Sequence, residues 1–276
     1  MGVLTDSLRT YNLQKGDLDE LYGIFRSVND YDIPIVRYII YPSSGLIRQR
    51  INPHGKEFYS ISKLNYPPAI CLPKYGRVNL PYQSMFYACS FTDTNSVDVP
   101  FPRIVSLLET SSFFKDKDSV GIERATVSRW EVTKPLNLIA LPFGDEYRRP
   151  CPEVLNFTKS WHDIMQDVSV NPNGLELIQY MSNEISKDSD GIIYPSVPAQ
   201  GGGFNVAIKP NAADTKIRFV GASLCHLLKQ HDESYVAIMK DAHLNPDGTL
   251  TYTDRVLSKE EMAIYEQYAD GLTFVN

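Results

Sequence analysis

The chain predicts an α+β fold, a mixed β core flanked by helices within one domain. Three observations carry that expectation. Short apolar runs of strand-like composition recur along most of the chain. Amphipathic stretches with helix-start signals lie between them. No internal repeat, low-complexity tract or flexible linker divides the 276 residues, a length that one large domain accommodates.

The elements follow in order. Asp17 to Arg26 is amphipathic, with acidic residues at the end where a helix N-terminus favours them. Residues 35–41, Ile-Val-Arg-Tyr-Ile-Ile-Tyr, predict a buried strand. Residues 55–84 are rich in Pro, Tyr, Gly and Ser and predict long structured loops. Ser84 to Ser90 predicts a strand. Residues 102–114 predict a helix, with Ile104, Leu107 and Leu108 on one face and Pro102 near the first turn. Residues 126–132 and 136–141 predict strands, and 153–168 and 173–187 predict helices. Asn173 and Glu176 suggest a capping box for the second of these. Further strands are expected at 216–220 and 235–239. Asn245-Pro-Asp-Gly248 is a turn signal, and Ser258 with Glu261 forms a capping box for a last helix.

Residues 191–210 carry the most information. Two apolar runs, Ile192–Ile193 and Val206–Ile208, flank a loop of small and polar residues. Gly201, Gly202 and Gly203 allow positive φ or close approach of the backbone to a ligand. Ser196 and Asn205 place polar groups at its two ends. A loop of this kind is either a glycine-rich surface turn or the wall of a site.

Composition narrows the function classes. With 27 Lys+Arg against 33 Asp+Glu and a net charge of −6, the chain lacks the concentrated cations that nucleic-acid binding requires. The arginines nevertheless cluster, as Arg48 and Arg50, then Arg77, then Arg148 and Arg149. No run approaches the length of a membrane-spanning helix, and the polar, soon acidic N-terminus does not read as a signal peptide. The four cysteines, Cys71, Cys89, Cys151 and Cys225, are too far apart for a zinc knuckle or redox pair. Reduced, packed thiols in a cytoplasmic protein are expected.

Several residues could carry chemistry. Glu109 lies beside Leu107 and Leu108 in the expected helix 102–114. It either sits on the solvated face or is held against an arginine or a ligand. Arg48, with Arg50 two residues on, and Arg77, with Asn79 two residues on, would together suit an anion, because guanidinium forks match phosphate oxygens. Tyr87 on its apolar strand is by default core packing, and Trp130 and Trp161 read the same way. His226 and His231 read as surface residues. There is no metalloprotease His-Glu-x-x-His, no phosphate-binding P-loop, no dinucleotide fingerprint and no nucleophile elbow.

Taken in order, these pieces resemble the RES domain family, named for an arginine, a glutamate and a serine. Leu46-Ile-Arg-Gln-Arg50 resembles its early Arg-x-Arg strand. Tyr75-Gly-Arg-Val-Asn-Leu-Pro81 followed by Ser84-Met-Phe-Tyr87 resembles its Gly-Arg-x-Asn segment and the tyrosine strand after it. Arg103 to Glu109 resembles its glutamate helix. Gly191 to Ser196 and Gly201 to Ala207 resemble its serine loop and following strand. The resemblance covers roughly residues 40 to 220. The chain departs from short members by an extra polar loop around Thr92–Pro100 and by additions at both ends. The organisation expected is an N-terminal addition at 1–40, a NAD-binding catalytic core at 41–225, and a C-terminal addition at 226–276 packed on the core.

The resemblance implies an ADP-ribosyltransferase-like fold and an enzyme that consumes NAD+ by breaking the nicotinamide–ribose bond. Hydrolysis or phosphorolysis, as in a toxin or defence effector, is the leading expectation. Transfer of ADP-ribose to a protein, and a silent module that only binds NAD+ or ADP-ribose, are the alternatives. On this reading Glu109, Arg48, Arg77 and Ser196 form the catalytic set, Arg48 and Arg77 holding pyrophosphate and ribose, and Tyr87 meets the nicotinamide. Ser196 bonds the ribose or the Glu109 carboxylate. Asn79, Gly202 and Asn205 complete the NAD+ contacts, and no metal is needed. The implied partners are NAD+ and a separate antitoxin, with self-association compatible and neither nucleic acid nor membrane expected.

Overall fold

The computed structural model describes residues 36–73, 78–90, 102–140, 182–183, 185–196, 198–199, 203–231 and 233–275. The expected helices at 17–26 and 153–168, most of that at 173–187, and the loop at 92–100 lie outside these residues. So do Arg77 and Gly202.

The described chain is α+β. Its strands are β1 (Val36–Ile40), β2 (Gly45–Ile51), β3 (Phe86–Ser90), β4 (Gly121–Val132), β5 (Leu136–Ala140), β6 (Gly191–Pro195), β7 (Phe204–Ile208), β8 (Ile217–Gln230), β9 (Glu233–Leu244) and β10 (Leu250–Asp254). Among the described residues the α-helices are α1 (Pro102–Thr110), α2 (Ser112–Lys115), α3 (Pro210–Lys216) and α4 (Lys259–Ala269). The strands form one sheet in the order β1-β5-β6-β7-β3-β2-β4-β8-β9-β10. Every pairing is antiparallel except that of β5 with β6.

Both faces of the sheet centre are covered, which follows from alternation along a strand. Leu46 and Ile47 are adjacent in β2, and both are buried. Leu46 joins the large core with Phe86, Trp130, Leu138, Ile193 and Val206. Trp130 anchors this side, edge-on to Phe86 and Phe219 at centroid distances of 5.0 and 5.4 Å, a favourable aromatic arrangement. Its indole N–H donates to Ser128 Oγ at 2.9 Å. Ile47 faces the other way, into a smaller core with Ala125, Val127, Leu227 and Leu107 of α1. A third cluster, around Ile122, Leu228 and Ala237, packs against Tyr265 and Tyr268 of α4.

The expected helix 102–114 stops at Thr110. Ser111 takes extended backbone (φ −94°, ψ 111°) and its hydroxyl caps a separate short helix, while donating to Glu123 at 2.5 Å. The expected strands at 216–220 and 235–239 are parts of β8 and β9, which are far longer. Residues 221–229 of β8 are mostly buried on both faces, so the apolar–polar alternation that marks a half-exposed strand is missing there. β8 runs unbroken through position 225, and β9 and β10 extend the same sheet. The Ser258–Glu261 capping box forms as the sequence predicts, and the Asn245–Gly248 turn joins β9 to β10.

His226, expected on the surface, is buried instead. Its Nδ1 is 3.0 Å from Tyr265 Oη, and its ring stands edge-on to Phe274 at 5.0 Å. Phe274 reaches it because the C-terminal residues pair with Ile122. Burial, and after it the charge of Arg124, hold the imidazole down at about 4 rather than the usual 6.5. The folded chain therefore resists a proton that the unfolded chain accepts, and stability is complete above the unfolded value. It should fall as pH drops from 6.5 towards 4. Urea denaturation across that range, compared with His226→Gln, checks this: the variant should show the shallower dependence.

Candidate functional site

Glu109 sits near the end of α1, four residues after Val105 and so on the same flank. Gly203 brings the neighbouring loop against that flank. A Cβ on Gly203 would lie 2.5 Å from Val105 Cγ2, closer than real contacts allow, so α1 could not keep this seat beside any larger residue. The loop is pinned where Ser196, just after β6, donates its backbone N–H to the Gly203 carbonyl at 2.8 Å. β6 and β7 pair at its base, and Gly191, with φ +154°, has the Ala207 carbonyl 2.1 Å from where a Cβ would stand.

Three side chains converge there. Ser196 Oγ donates to Glu109 Oε1 at 2.7 Å. Asn205 Nδ2 donates to the same oxygen, also at 2.7 Å. Ser196 is fully buried and Asn205 nearly so. Asn205 faces Cys89 across the β3–β7 pairing, and the Cys89 thiol donates to its Oδ1 at 3.1 Å. Thiol donor on one side and carboxylate acceptor on the other agree with a single orientation of the amide. The Ala199 backbone N–H donates to Ser196 Oγ at 3.3 Å. Burial, and then the Glu109 carboxylate, push the Cys89 thiol up to about 12. It is a neutral hydrogen-bond donor, since nucleophilic chemistry needs the thiolate.

Tyr87 lies two residues before Cys89 in β3, hence on the same face. Its hydroxyl donates to Asn79 Oδ1 at 2.5 Å and accepts from the Val78 N–H at 3.4 Å. Asn79 is buried and also donates from Nδ2 to the Leu80 carbonyl at 3.0 Å. The segment that follows Arg77 is thereby hooked onto the strand that carries Cys89.

Arg48 is placed differently from the other expected residues. It alternates in β2 with Ile47 and Gln49, so it rises from the face opposite Glu109. Its Nε donates to the Leu64 carbonyl at 3.0 Å, Nη1 to the Tyr87 carbonyl at 2.6 Å and Nη2 to the Asn65 carbonyl at 3.4 Å. The guanidinium lies 5.3 Å from the centroid of the Phe86 ring. Burial, and then Arg50, lower its pKa to about 10. Arg48 is a brace that ties the 64–65 turn to β3. Arg50 likewise donates to the Lys63 carbonyl.

The structure thus joins Glu109, Ser196 and Asn205 directly, sets Tyr87 and Asn79 one step along the same sheet face, and keeps Arg48 behind the sheet. Cys89 was not singled out from the sequence. Its position two residues after Tyr87 was the signal that it shares that face. Among the described residues no group of three or more His, Cys, Asp or Glu is arranged to hold a metal ion, and no helix is long and apolar enough to cross a membrane. No protein-family profile matches the chain, and no curated protein matches it significantly.

The thiol environments predict selective labelling. Cys71 is exposed, whereas Cys89 and Cys225 are buried. Brief alkylation of the native protein at pH 8, read by peptide mass spectrometry, should modify Cys71 and leave Cys89 and Cys225 protected until denaturant is added.

Proposed function

We propose that the chain consumes NAD+, breaking the bond between nicotinamide and ribose C1′ and passing the ADP-ribosyl group to water or phosphate. The observation that carries this reading is the pair of 2.7 Å hydrogen bonds from Ser196 and Asn205 to one oxygen of Glu109. The resemblance to the RES domain family pairs the glutamate helix with the serine loop, and here these distant segments meet through their side chains. Among the described residues, a ten-stranded, mainly antiparallel sheet with few helices is compatible with the ADP-ribosyltransferase-like fold that the resemblance implies.

The chemistry assigns each residue a task. As the C1′–N bond lengthens, positive charge gathers on the ribose and nicotinamide leaves as a neutral base. The Glu109 carboxylate opposes that charge where it develops, which is the most effective form of electrostatic catalysis. Ser196 and Asn205 hold the carboxylate in one orientation, so little reorganisation accompanies bond breaking. Water then adds at C1′ and loses a proton, giving ADP-ribose. Phosphate in the same position would give the 1-phosphate. Tyr87 would meet the nicotinamide ring, and Arg77 would hold the pyrophosphate. Gly202 would let the loop close over the ligand. Arg48 acts from behind the sheet, keeping β3 in place.

Glu109→Gln preserves shape and removes the charge. Nicotinamide release from NAD+ should then fall by about two to three orders of magnitude relative to the unchanged chain. Equal turnover by the variant would remove Glu109 from this role. Absence of turnover in both, together with NAD+-dependent thermal stabilisation, would make the chain a binding module instead.

A further inference from the structure

We infer that a second site, on the flank of α1 turned away from Glu109, binds a free long-chain aliphatic carboxylate. A cleft of about 900 Å³ opens there, near the upper end of the volumes that enclose small ligands. Arg103 and Leu107 of α1, one turn apart, line it together with residues of β2, β4, β8 and β9, whereas Val105 and Glu109 face the loop at 196–203. The floor is aliphatic, formed by Leu107, Val127, Leu227 and Ile238, and the only aromatic ring of the lining is the imidazole of His243, on the β9 side. No Phe, Tyr or Trp offers a nucleobase or nicotinamide a broad stacking face there, while an alkyl chain finds the methyl and methylene groups of the floor.

Polar groups lie on both sides of the cleft, Gln49, Arg103 and Arg129 on the α1, β2 and β4 side and Ser223, Asp241, His243 and Arg255 on the β8 and β9 side. Gln49 of β2 lines the cleft and is only 3 % exposed. Its Nε2 has no hydrogen-bond partner among the described residues, a costly condition for a buried donor that a ligand oxygen would relieve. Arg103 of α1 and Arg129 of β4 also line the cleft, and neither has an ion-pair partner among the described residues. The one carboxylate of the lining, Asp241, accepts from Ser223 Oγ at 2.8 Å, and Arg255 is engaged with Glu261 at 2.7 Å. The buried group of the lining without a partner is thus a donor, Gln49 Nε2, and with two exposed guanidiniums free of ion pairs among the described residues on the same lining it favours an anionic acceptor. From β2 to β9 the cleft crosses three strand spacings, about 14 Å, which accommodates an extended chain with its head at β2 and its tail at Ile238. The inference does not rest on NAD+ consumption.

Isothermal titration of the full chain with octanoate, decanoate and dodecanoate, each below its critical micelle concentration, tests the site. Affinity should rise about fourfold for each added methylene. Dodecanol should bind about tenfold or more weakly than dodecanoate, since it lacks the charge that the arginines and Gln49 satisfy. In the double variant Arg103→Gln, Arg129→Gln, confirmed as folded by circular dichroism, that preference should disappear while dodecanol binding persists. Glu109→Gln should leave dodecanoate binding unchanged. No heat with dodecanoate, equal binding of acid and alcohol, or an undiminished preference in the double variant would overturn the inference. So would displacement of dodecanoate by AMP, which would make the cleft a nucleotide site.

Discussion

A half-buried carboxylate must be satisfied where it stands, and the architecture around Glu109 is organised by that requirement. Two neutral donors meet on its Oε1, one from the end of β6 and one from within β7. For both to arrive, β6 and β7 must pair in register, the loop between them must close through Ser196 and Gly203, and α1 must lie close enough for Val105 to touch a glycine. Loss of any of these would take from the carboxylate two donors that meet on one of its oxygens.

The sheet divides the labour. One face builds the large core around Trp130 and holds Arg48 as a brace on the Tyr87 carbonyl. The other face carries Tyr87, Cys89 and Asn205, with α1 laid beside them. Because α1 is narrow, its two flanks serve different surroundings. Glu109 and Val105 address the glycine loop, while Arg103 and Leu107 address the aliphatic cleft over β4, β8 and β9. A rigid core on one side thus leaves polar groups free to assemble on the other.

Much of the site was legible in the sequence because it is written in local terms. Apolar runs marked β1, β3, β6 and β7, and small residues between Ser196 and Asn205 marked the loop that joins the last two. The capping box at Ser258 marked α4 just as directly. Arg48 shows where local reading stops. An Arg-x-Arg pair in a strand places both side chains on one face, but which face that is depends on the register with β3 and β4. β8 and His226 failed for a related reason. A strand buried on both sides loses its alternation, and a histidine among such residues cannot be told from a surface one without knowing that Phe274 and Tyr265 cover it. Cys89 needed the pairing partner Asn205 before its hydrogen bond to the Glu109 network could be seen.

The most direct test is to incubate the purified chain with NAD+ and identify the products by mass spectrometry. Free nicotinamide in equal amount to ADP-ribose, or to its 1-phosphate when phosphate is present, is the result expected of a carboxylate poised beside the ribose. NAD+ recovered intact after prolonged incubation with folded protein would contradict it.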